Sequence, residues 1–205
     1  NVALDGEGRF ARSDRPADPL LAAGVRHVER SLETAFVDGY RSEILPQLPY
    51  WMQAVLGSLK RGLALFTDYG YPRAEFYLPE RVDGTLVCHY RHRAHADPLH
   101  LPGLQDITAF VDFTALAEGG NQAGFAVASY CSQAQFLFAT GIADRFEQAS
   151  TQADELACYR LAQEVKRLTL PGEMGERFQA MLLARDVPPA AVPRSLVDIS
   201  QGHRL

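Results

Sequence analysis

Two acidic residues stand where a carboxylate could take part in chemistry. Asp68 directly follows residues 63–67, a short continuous apolar run that is typical of a buried strand in a parallel sheet. In open α/β sheets ligands bind outside the carboxyl ends of the strands, so Asp68 is expected to face a ligand. The alternative is that Asp68 only bonds to the backbone of the following turn.

Glu43 is the second carboxylate, and it precedes a predicted helix. It could be held by Arg41 or by the helix N-terminus, which favours negative charge. Alternatively it faces the same crevice as Asp68, in which case the two carboxylates would flank a cationic group of a substrate. Glu43 and Asp68 are therefore candidate site residues, and Arg41 is a candidate for substrate binding.

Four of the six histidines lie between His89 and His100. Their spacing matches no familiar zinc-ligand set, and the interleaved Arg91 and Arg93 would repel a divalent cation, so no metal site is predicted. A polar, basic lid over an active site is the functional interpretation, with His89, Arg91 and His92 as substrate-binding candidates. The alternative is a solvated loop surface.

Three further side chains could line the same site. Tyr69 adjoins Asp68, and Asp106 and Thr108 could place a carboxylate and a hydroxyl near the lid. Asp106 could equally begin a turn, as aspartates often do. All three are candidate substrate-binding residues.

Hydrophobic periodicity and end signals divide the chain into strands and helices. The two arms of a β-hairpin are predicted at residues 2–4 and 9–11, and strands at residues 63–67, 124–129 and 178–184. Helices are predicted at residues 19–36, 47–61, 113–118, 132–141 and 152–167. Asp112 and Ser132 are the expected caps of two of these helices, and Gly119 and Gly120 are expected to end one. Trp51 and Met52 are expected in the core.

Strands that alternate with helices predict an α/β sandwich with a largely parallel sheet. Residues 71–105, rich in Pro, Arg and His, are predicted to be irregular, and a loop of that length is often functional. Residues 186–205, with three prolines, are predicted to be an irregular surface tail. Three strands and a hairpin make a thin sheet with an uncovered edge, which suggests missing N-terminal strands and a longer parent protein.

Composition excludes several classes of function. The chain has 205 residues, 47% of them hydrophobic, and a formal net charge of −5, which argues against broad nucleic-acid binding. No apolar run approaches the length of a membrane span. The odd number of cysteines, at Cys88, Cys131 and Cys158, matches no disulfide or zinc pattern and fits a reducing compartment.

Four segments in this order resemble the MidA family of S-adenosylmethionine-dependent methyltransferases. They are LFTDYGY at 65–71, DGTL at 83–86, PGLQDITAFVDF at 102–113 and PGEMGERF at 171–178. The resemblance implies the C-terminal half of a Rossmann-like class I methyltransferase, with a mixed sheet whose last strand is antiparallel. Residues 1–185 would belong to the methyltransferase domain, with a substrate-side insertion at 71–105, and residues 186–205 would form the tail.

The resemblance also implies a function. The cofactor would be S-adenosylmethionine, and the glycine-rich loop that grips it is expected outside this chain. The substrate would be a protein arginine, as in the mitochondrial members that methylate a respiratory complex I subunit and support assembly of that complex. A carboxylate that orients the guanidinium and accepts its proton would aid such a reaction, so the resemblance makes Glu43 and Asp68 the candidate catalytic residues. A homodimer is a further expectation, in the cytoplasm of a bacterium or the mitochondrial matrix of a eukaryote. Family members usually have Asn where this chain has Ile44.

Two other functional classes stay open. The chain could be a non-catalytic assembly module that uses the basic lid and the bare sheet edge to hold a partner protein. A metal-dependent hydrolase that uses the histidine cluster ranks last.

Overall fold

The computed structural model describes residues 1–205, and the chain divides into two compact units. The first unit comprises Asn1–Pro46 and Tyr77–Phe110, and the second comprises Gln47–Phe76 and Val111–Leu205. No helix combines the length and the apolar character that crossing a membrane requires.

The strands are β1 (Val2–Leu4), β2 (Phe10–Arg12), β3 (Gly62–Tyr71), β4 (Val87–Tyr90), β5 (Arg93–His95), β6 (Asp106–Thr108), β7 (Val111–Asp112), β8 (Ala126–Ser132) and β9 (Phe178–Arg185). The helices are α1 (Pro19–Leu32), α2 (Leu48–Leu56), α3 (Arg73–Phe76), α4 (Phe113–Gln122), α5 (Gln133–Ala139), α6 (Ile142–Ser150), α7 (Glu155–Thr169), α8 (Met174–Arg177) and α9 (Arg194–Asp198).

The first unit begins with the predicted hairpin, in which β1 and β2 pair antiparallel. Asp18 caps α1, because its side chain accepts a hydrogen bond from the backbone N–H of Leu21 at 2.9 Å. The helix ends at Leu32, earlier than the predicted residue 36. Glu33 takes a left-handed conformation (φ 53°) that a right-handed helix does not continue.

The prediction that residues 71–105 are irregular is wrong. The helical turn α3 and the strands β4 and β5 lie in this range, and β4 is the central strand of a three-stranded antiparallel sheet in the order β5-β4-β6. The hairpin escaped prediction because its turn contains Arg91 and His92. Tight hairpin turns are usually marked by Asn or Gly instead.

The second unit is built on a four-stranded sheet in the order β7-β3-β9-β8. β9 runs antiparallel to both β3 and β8, so β3 and β8 run parallel to each other. The sheet is therefore mixed, as the resemblance implied, rather than largely parallel. One face packs against α2 and α4 around a buried core that consists of Met52, Leu56, Phe113, Leu116, Ala117, Ala123, Phe125, Tyr130, Met181 and Leu183.

β3 is longer than the predicted residues 63–67, and Asp68 lies within it rather than just after it. Gly70 is of a residue type that often marks a turn, but here it continues the strand and pairs with Val111 of β7. A Cβ on Gly70 would lie only 2.2 Å from the carbonyl oxygen of Val111. The glycine therefore permits a close backbone approach instead of a turn.

Two predicted helices have different lengths in the structure. α2 ends at Leu56 rather than at residue 61, and it buries Met52 completely while leaving 48% of Trp51 exposed. Asp112 caps α4 as predicted, but the helix continues through Gly119 and Gly120. A Cβ at Gly119 would lie 2.9 Å from Met52 Cγ, so tight helix packing, not helix termination, accounts for that glycine.

The C-terminal part of the second unit follows the predicted order with two corrections. Ser132 and Gln135 form the predicted capping box of α5, but α6 was not predicted. The tail after residue 185 contains α9 and two 3-10 turns, and its Leu196 is buried. The tail also covers the outer edge of β8, where the backbone N–H of Gln201 donates to the carbonyl of Tyr130. A strand edge that would otherwise be exposed explains why this segment is ordered.

Candidate active site

Three polar residues of the second unit form one row across the sheet, at the carboxyl edge of β3 and β8. Asp68 pairs with Gln179 of β9, and Gln179 pairs in turn with Ser132 of β8. Residues directly opposite each other in a sheet share one face, so their side chains are neighbours. The row lies at the edge where ligands of open α/β sheets bind.

Asp68 is the one member of the row whose side chain is free for a ligand. Gln179 is buried and donates to the carbonyl of Glu176 at 2.9 Å, while the Ser132 hydroxyl caps α5. Asp68 is exposed, and its Oδ1 accepts a hydrogen bond from the backbone N–H of Tyr69 at 2.8 Å. This bond to the following backbone N–H is the local alternative to a ligand-binding role for Asp68. It leaves other lone pairs of the carboxylate able to accept from a further donor.

Tyr69 projects from the other face of the same edge. Its ring packs edge-on against Phe178, with ring centroids 5.5 Å apart. The aromatic pair lies at the start of β9, next to the polar row. Neither Phe178 nor Gln179 was a candidate from sequence, because only the strand register brings them beside β3.

A buried ion cluster anchors the chain immediately after β3. Only 4% of the Arg73 side chain is exposed, and its Nε lies 3.2 Å from Asp112 while two guanidinium nitrogens donate to Glu118 at 2.7 Å. The backbone N–H of Arg73 donates to the Thr114 hydroxyl at 2.9 Å. These contacts attach α3 to the start of α4 and so hold the carboxyl end of β3 in place.

The charges of this cluster depend on each other. Burial alone lowers the pKa of the Arg73 guanidinium, but its bonds to Glu118 and the charge of Asp112 more than reverse this and raise it. Burial raises the pKa of the Asp112 carboxyl, and the nearby Arg73 opposes that shift. Removing Arg73 would therefore leave a buried carboxylate without its counter-charge.

Glu43 belongs to the first unit, where its carboxylate holds a turn of the chain. It accepts hydrogen bonds from the backbone N–H and the hydroxyl of Thr85, at 2.8 and 2.9 Å, and from the N–H of Leu86 at 3.3 Å. Neither Arg41 nor a helix N-terminus is its partner, which corrects both expected local contacts. Arg41 is exposed, and its backbone N–H donates to Val82.

Replacing Gly84 by Ala is expected to disrupt this turn more than the same change at Gly39. Both glycines have positive φ, 76° and 85°, so both alanines would carry the strain of a left-handed backbone. A Cβ at Gly84 would also lie 2.4 Å from Glu43 Oε1, whereas none of the surrounding atoms is within 4 Å of a Cβ at Gly39. We expect Gly84→Ala to cost about 1–3 kcal/mol beyond its control.

The measurement is urea unfolding followed by far-ultraviolet circular dichroism, with amide hydrogen exchange at Thr85 and Leu86 as a local readout. Faster exchange at both amides in Gly84→Ala, and unchanged exchange in Gly39→Ala, is the expected pattern. Equal destabilisation by the two variants would contradict the structural role of Glu43.

The small sheet of the first unit gathers several of the predicted substrate-binding residues. His89 of β4 lies directly opposite Asp106 of β6, and Thr108 lies opposite Val87, so all four share one face. Arg91 and His92 form the exposed turn between β4 and β5. The sequence placed these residues in a lid, and the structure places them on a regular hairpin and its neighbouring strand.

The two candidate catalytic residues lie in different units, Glu43 in the first and Asp68 in the second. Their common crevice, and the lid above it, remain predictions. The structure contains no group of three or more His, Cys, Asp or Glu side chains placed to hold a metal ion. The three cysteines are free thiols, and burial raises the pKa of Cys88 and Cys131.

Comparison with known proteins places the chain in a family. A profile of the family described as "Putative S-adenosyl-L-methionine-dependent methyltransferase" matches residues 2–131. The chain belongs to this family. Over 122 residues it is 33% identical to the protein arginine methyltransferase NDUFAF7, mitochondrial, of Danio rerio, a match that covers 58% of this chain and 26% of that protein.

Two solved structures match this chain over its whole length. An uncharacterized protein from Burkholderia thailandensis is 36% identical with a TM-score of 0.85, over 100% of this chain and 52% of that one. A Burkholderia thailandensis structure bound to S-adenosyl-homocysteine is 35% identical with the same TM-score, over 100% of this chain and 51% of that one. The α/β fold with a mixed sheet is thus the fold of these structures, and the chain spans about half of their length and about a quarter of the curated relative.

Proposed function

We propose that this chain is the C-terminal part of an S-adenosylmethionine-dependent methyltransferase that acts on an arginine of a protein. The observation that carries the proposal is the structural match, over all of this chain and 51% of the other, to a protein bound to S-adenosyl-homocysteine, the product of methyl transfer. The arginine specificity rests on the similarity to the protein arginine methyltransferase of Danio rerio. An exposed carboxylate at the carboxyl edge of the sheet suits a guanidinium substrate.

The proposed truncation is supported by the edge of β3. β9 pairs with residues 62–69 of this strand, whereas β7 pairs only with Gly70 and Tyr71. The apolar side chains of Leu63 and Leu65 remain 38% and 47% exposed. The unpaired backbone at this edge fits a sheet that continues into further strands, and the exposed leucines fit a sheet face that further elements would cover. The main cofactor-binding motif would then lie outside this chain.

Asp68 is the proposed acceptor-side residue, because its side chain is exposed near the carboxyl end of β3. The cofactor supplies a methyl group bound to a positively charged sulfur. A guanidinium nitrogen attacks only when its lone pair is available, so a carboxylate that orients the guanidinium and accepts its proton assists the reaction. The exposed Asp68 carboxylate can do both. Holding the two reactants together would supply most of the acceleration.

The remaining candidates take supporting roles in this proposal. Glu43 acts as a positioning residue, because its carboxylate is engaged by Thr85 and Leu86. The other substrate-side residues would contact the acceptor protein: Arg41, Tyr69, His89, Arg91, His92, Asp106 and Thr108. The acceptor could be a respiratory complex I subunit, and the location the mitochondrial matrix in a eukaryote or the cytoplasm in a bacterium. A homodimer is part of the same proposal.

Calorimetric titration with S-adenosyl-homocysteine tests the proposal. We expect a longer natural protein that contains this chain to bind it with micromolar affinity, and the 205-residue chain to bind at least about tenfold more weakly because the glycine-rich loop is absent. A folded longer protein that does not bind the product would overturn the proposal. That outcome would favour the second candidate, an interaction module, for which the open edge of β3 is the supporting observation.

A further inference from the structure

The turn between β4 and β5 has an unusual sequence for its geometry. Tyr90 and Arg93 form the last pair of the hairpin, so Arg91 and His92 are its two central residues. Both have positive φ, 49° and 63°, as in a type I′ turn. Such positions favour Gly and Asn, because the Cβ of other residues crowds the backbone there. Histidine is found at positive φ more often than most residues, but arginine is not, so this Arg-His pair is less favourable in the turn than Asn-Gly would be.

Residues that are unfavourable for the turn they occupy point to a role outside folding. Strained residues are retained at sites where their side chains make functional contacts, and relieving the strain there usually stabilises the protein at the expense of function. Neither Arg91 nor His92 takes part in an ion pair, and both side chains are exposed. No such contact explains why these two residues occupy the turn.

The side chains of this turn present donors to the solvent. The Arg91 guanidinium lies over the Tyr90 ring, 5.3 Å from its centroid, a stacking contact that orients the group without using its N–H donors. The adjacent Arg93 is also exposed. We call Arg91, His92 and Arg93 the basic tip. It is a concentration of donors on a chain whose formal net charge is −5.

We propose that the basic tip binds carboxylate side chains in an acidic segment of the protein that is methylated. The proposal rests on the proposed function in taking a protein as the substrate. Arginine pairs with carboxylates through two parallel hydrogen bonds, and the turn presents its arginines on a rigid hairpin. The tip is too small for a nucleic acid, which requires a basic face that spans several phosphates.

The double variant Arg91→Asn with His92→Gly separates this role from folding. Asn-Gly is the preferred pair for a type I′ turn, so the variant is expected to keep the hairpin and to raise the melting temperature of the chain by a few degrees. At the same time it removes two of the three donor side chains of the tip. The single variant His92→Gly relieves strain at one position but keeps both arginines, and its affinity for an acidic segment is expected to lie between those of the unsubstituted chain and the double variant.

The probe is a fluorescein-labelled 12-residue peptide with one central Arg flanked by alternating Glu and Ala, measured by fluorescence anisotropy at low salt. The control peptide has Gln in place of Glu. We expect the chain to prefer the acidic peptide by about tenfold and the double variant to lose that preference. Arg145→Asn, a change of an exposed arginine on α6, is expected to keep it.

Three results would overturn the proposal. They are equal binding of the two peptides by the chain, an undiminished preference in the double variant, and tighter binding of a single-stranded oligonucleotide than of the acidic peptide. The measurement needs neither cofactor nor methyl transfer. Failure of the cofactor titration described above is therefore distinguishable from failure of this proposal.

Discussion

Replacing Arg73 by Met is expected to lower the free energy of unfolding by about 3–5 kcal/mol at pH 7. The guanidinium is buried and pairs with Asp112 and Glu118. Met fills much of the same volume but supplies no charge and no donor, so the carboxylate of Asp112 stays buried without compensation. Urea unfolding followed by the fluorescence of Trp51, the single tryptophan, reports on the unit that contains the cluster.

The loss should depend on pH in a defined direction. Burial already raises the pKa of Asp112 above its unfolded value, and removing Arg73 removes the charge that opposes this shift. The folded variant then holds the Asp112 proton more strongly than the unfolded chain does. The destabilisation is therefore smallest below about pH 4, near the unfolded pKa, and grows as the pH rises through the folded pKa.

A matched surface pair provides the control. Arg194 and Asp198 form an ion pair at 3.6 Å in which both side chains are largely exposed. Arg194→Met is expected to change stability by no more than about 0.5 kcal/mol, with little pH dependence. Equal losses in the two variants, or a loss in Arg73→Met that does not shrink on acidification, would show that the buried cluster does not anchor α3.

Replacing Asp68 by Asn is expected to lower kcat/KM for arginine methylation about 100-fold in a longer protein that contains this chain. Asn keeps the size of the side chain but carries no charge to orient a guanidinium and cannot accept its proton. Because Asp68 is exposed and its contact is with a neighbouring backbone N–H, stability should change by less than about 1 kcal/mol. The measurement is transfer of labelled methyl groups from S-adenosylmethionine to protein arginine.

Two comparisons make this test specific. Asp144→Asn, a matched change at an exposed position of α6, is expected to leave the rate unchanged. The affinity for S-adenosyl-homocysteine should stay within about twofold in Asp68→Asn, because the proposed role concerns the acceptor. An unaltered methylation rate in a variant that still binds the product would remove Asp68 from the proposed mechanism.

Glu43→Gln distinguishes a positioning role from a catalytic one in the same assay. If Glu43 acts through the turn that it holds, its amide variant should raise KM and speed amide exchange at Thr85 and Leu86 together. A fall in kcat alone, with exchange at both amides unchanged, would instead identify Glu43 as a second catalytic carboxylate.

The sequence by itself determined the features that depend on neighbours within one helical turn and on the family motifs. Asp112 caps α4 by accepting a hydrogen bond from the backbone N–H of Ala115, and Ser132 and Gln135 form the capping box of α5. The sequence also showed the alternation of strands and helices and the four motif segments, and these led to the correct family.

The tertiary structure decided every feature whose partners lie far apart along the chain. Arg73 meets Asp112 and Glu118, and Glu43 meets Thr85, across separations of about 40 residues that no local pattern records. Whether Gly70 forms a turn or continues a strand depends on whether another backbone approaches it, since glycine suits both a turn and a crowded strand. Local propensity describes a few residues at a time, whereas burial and strand register are set by the whole fold, and that is the physical reason for the division.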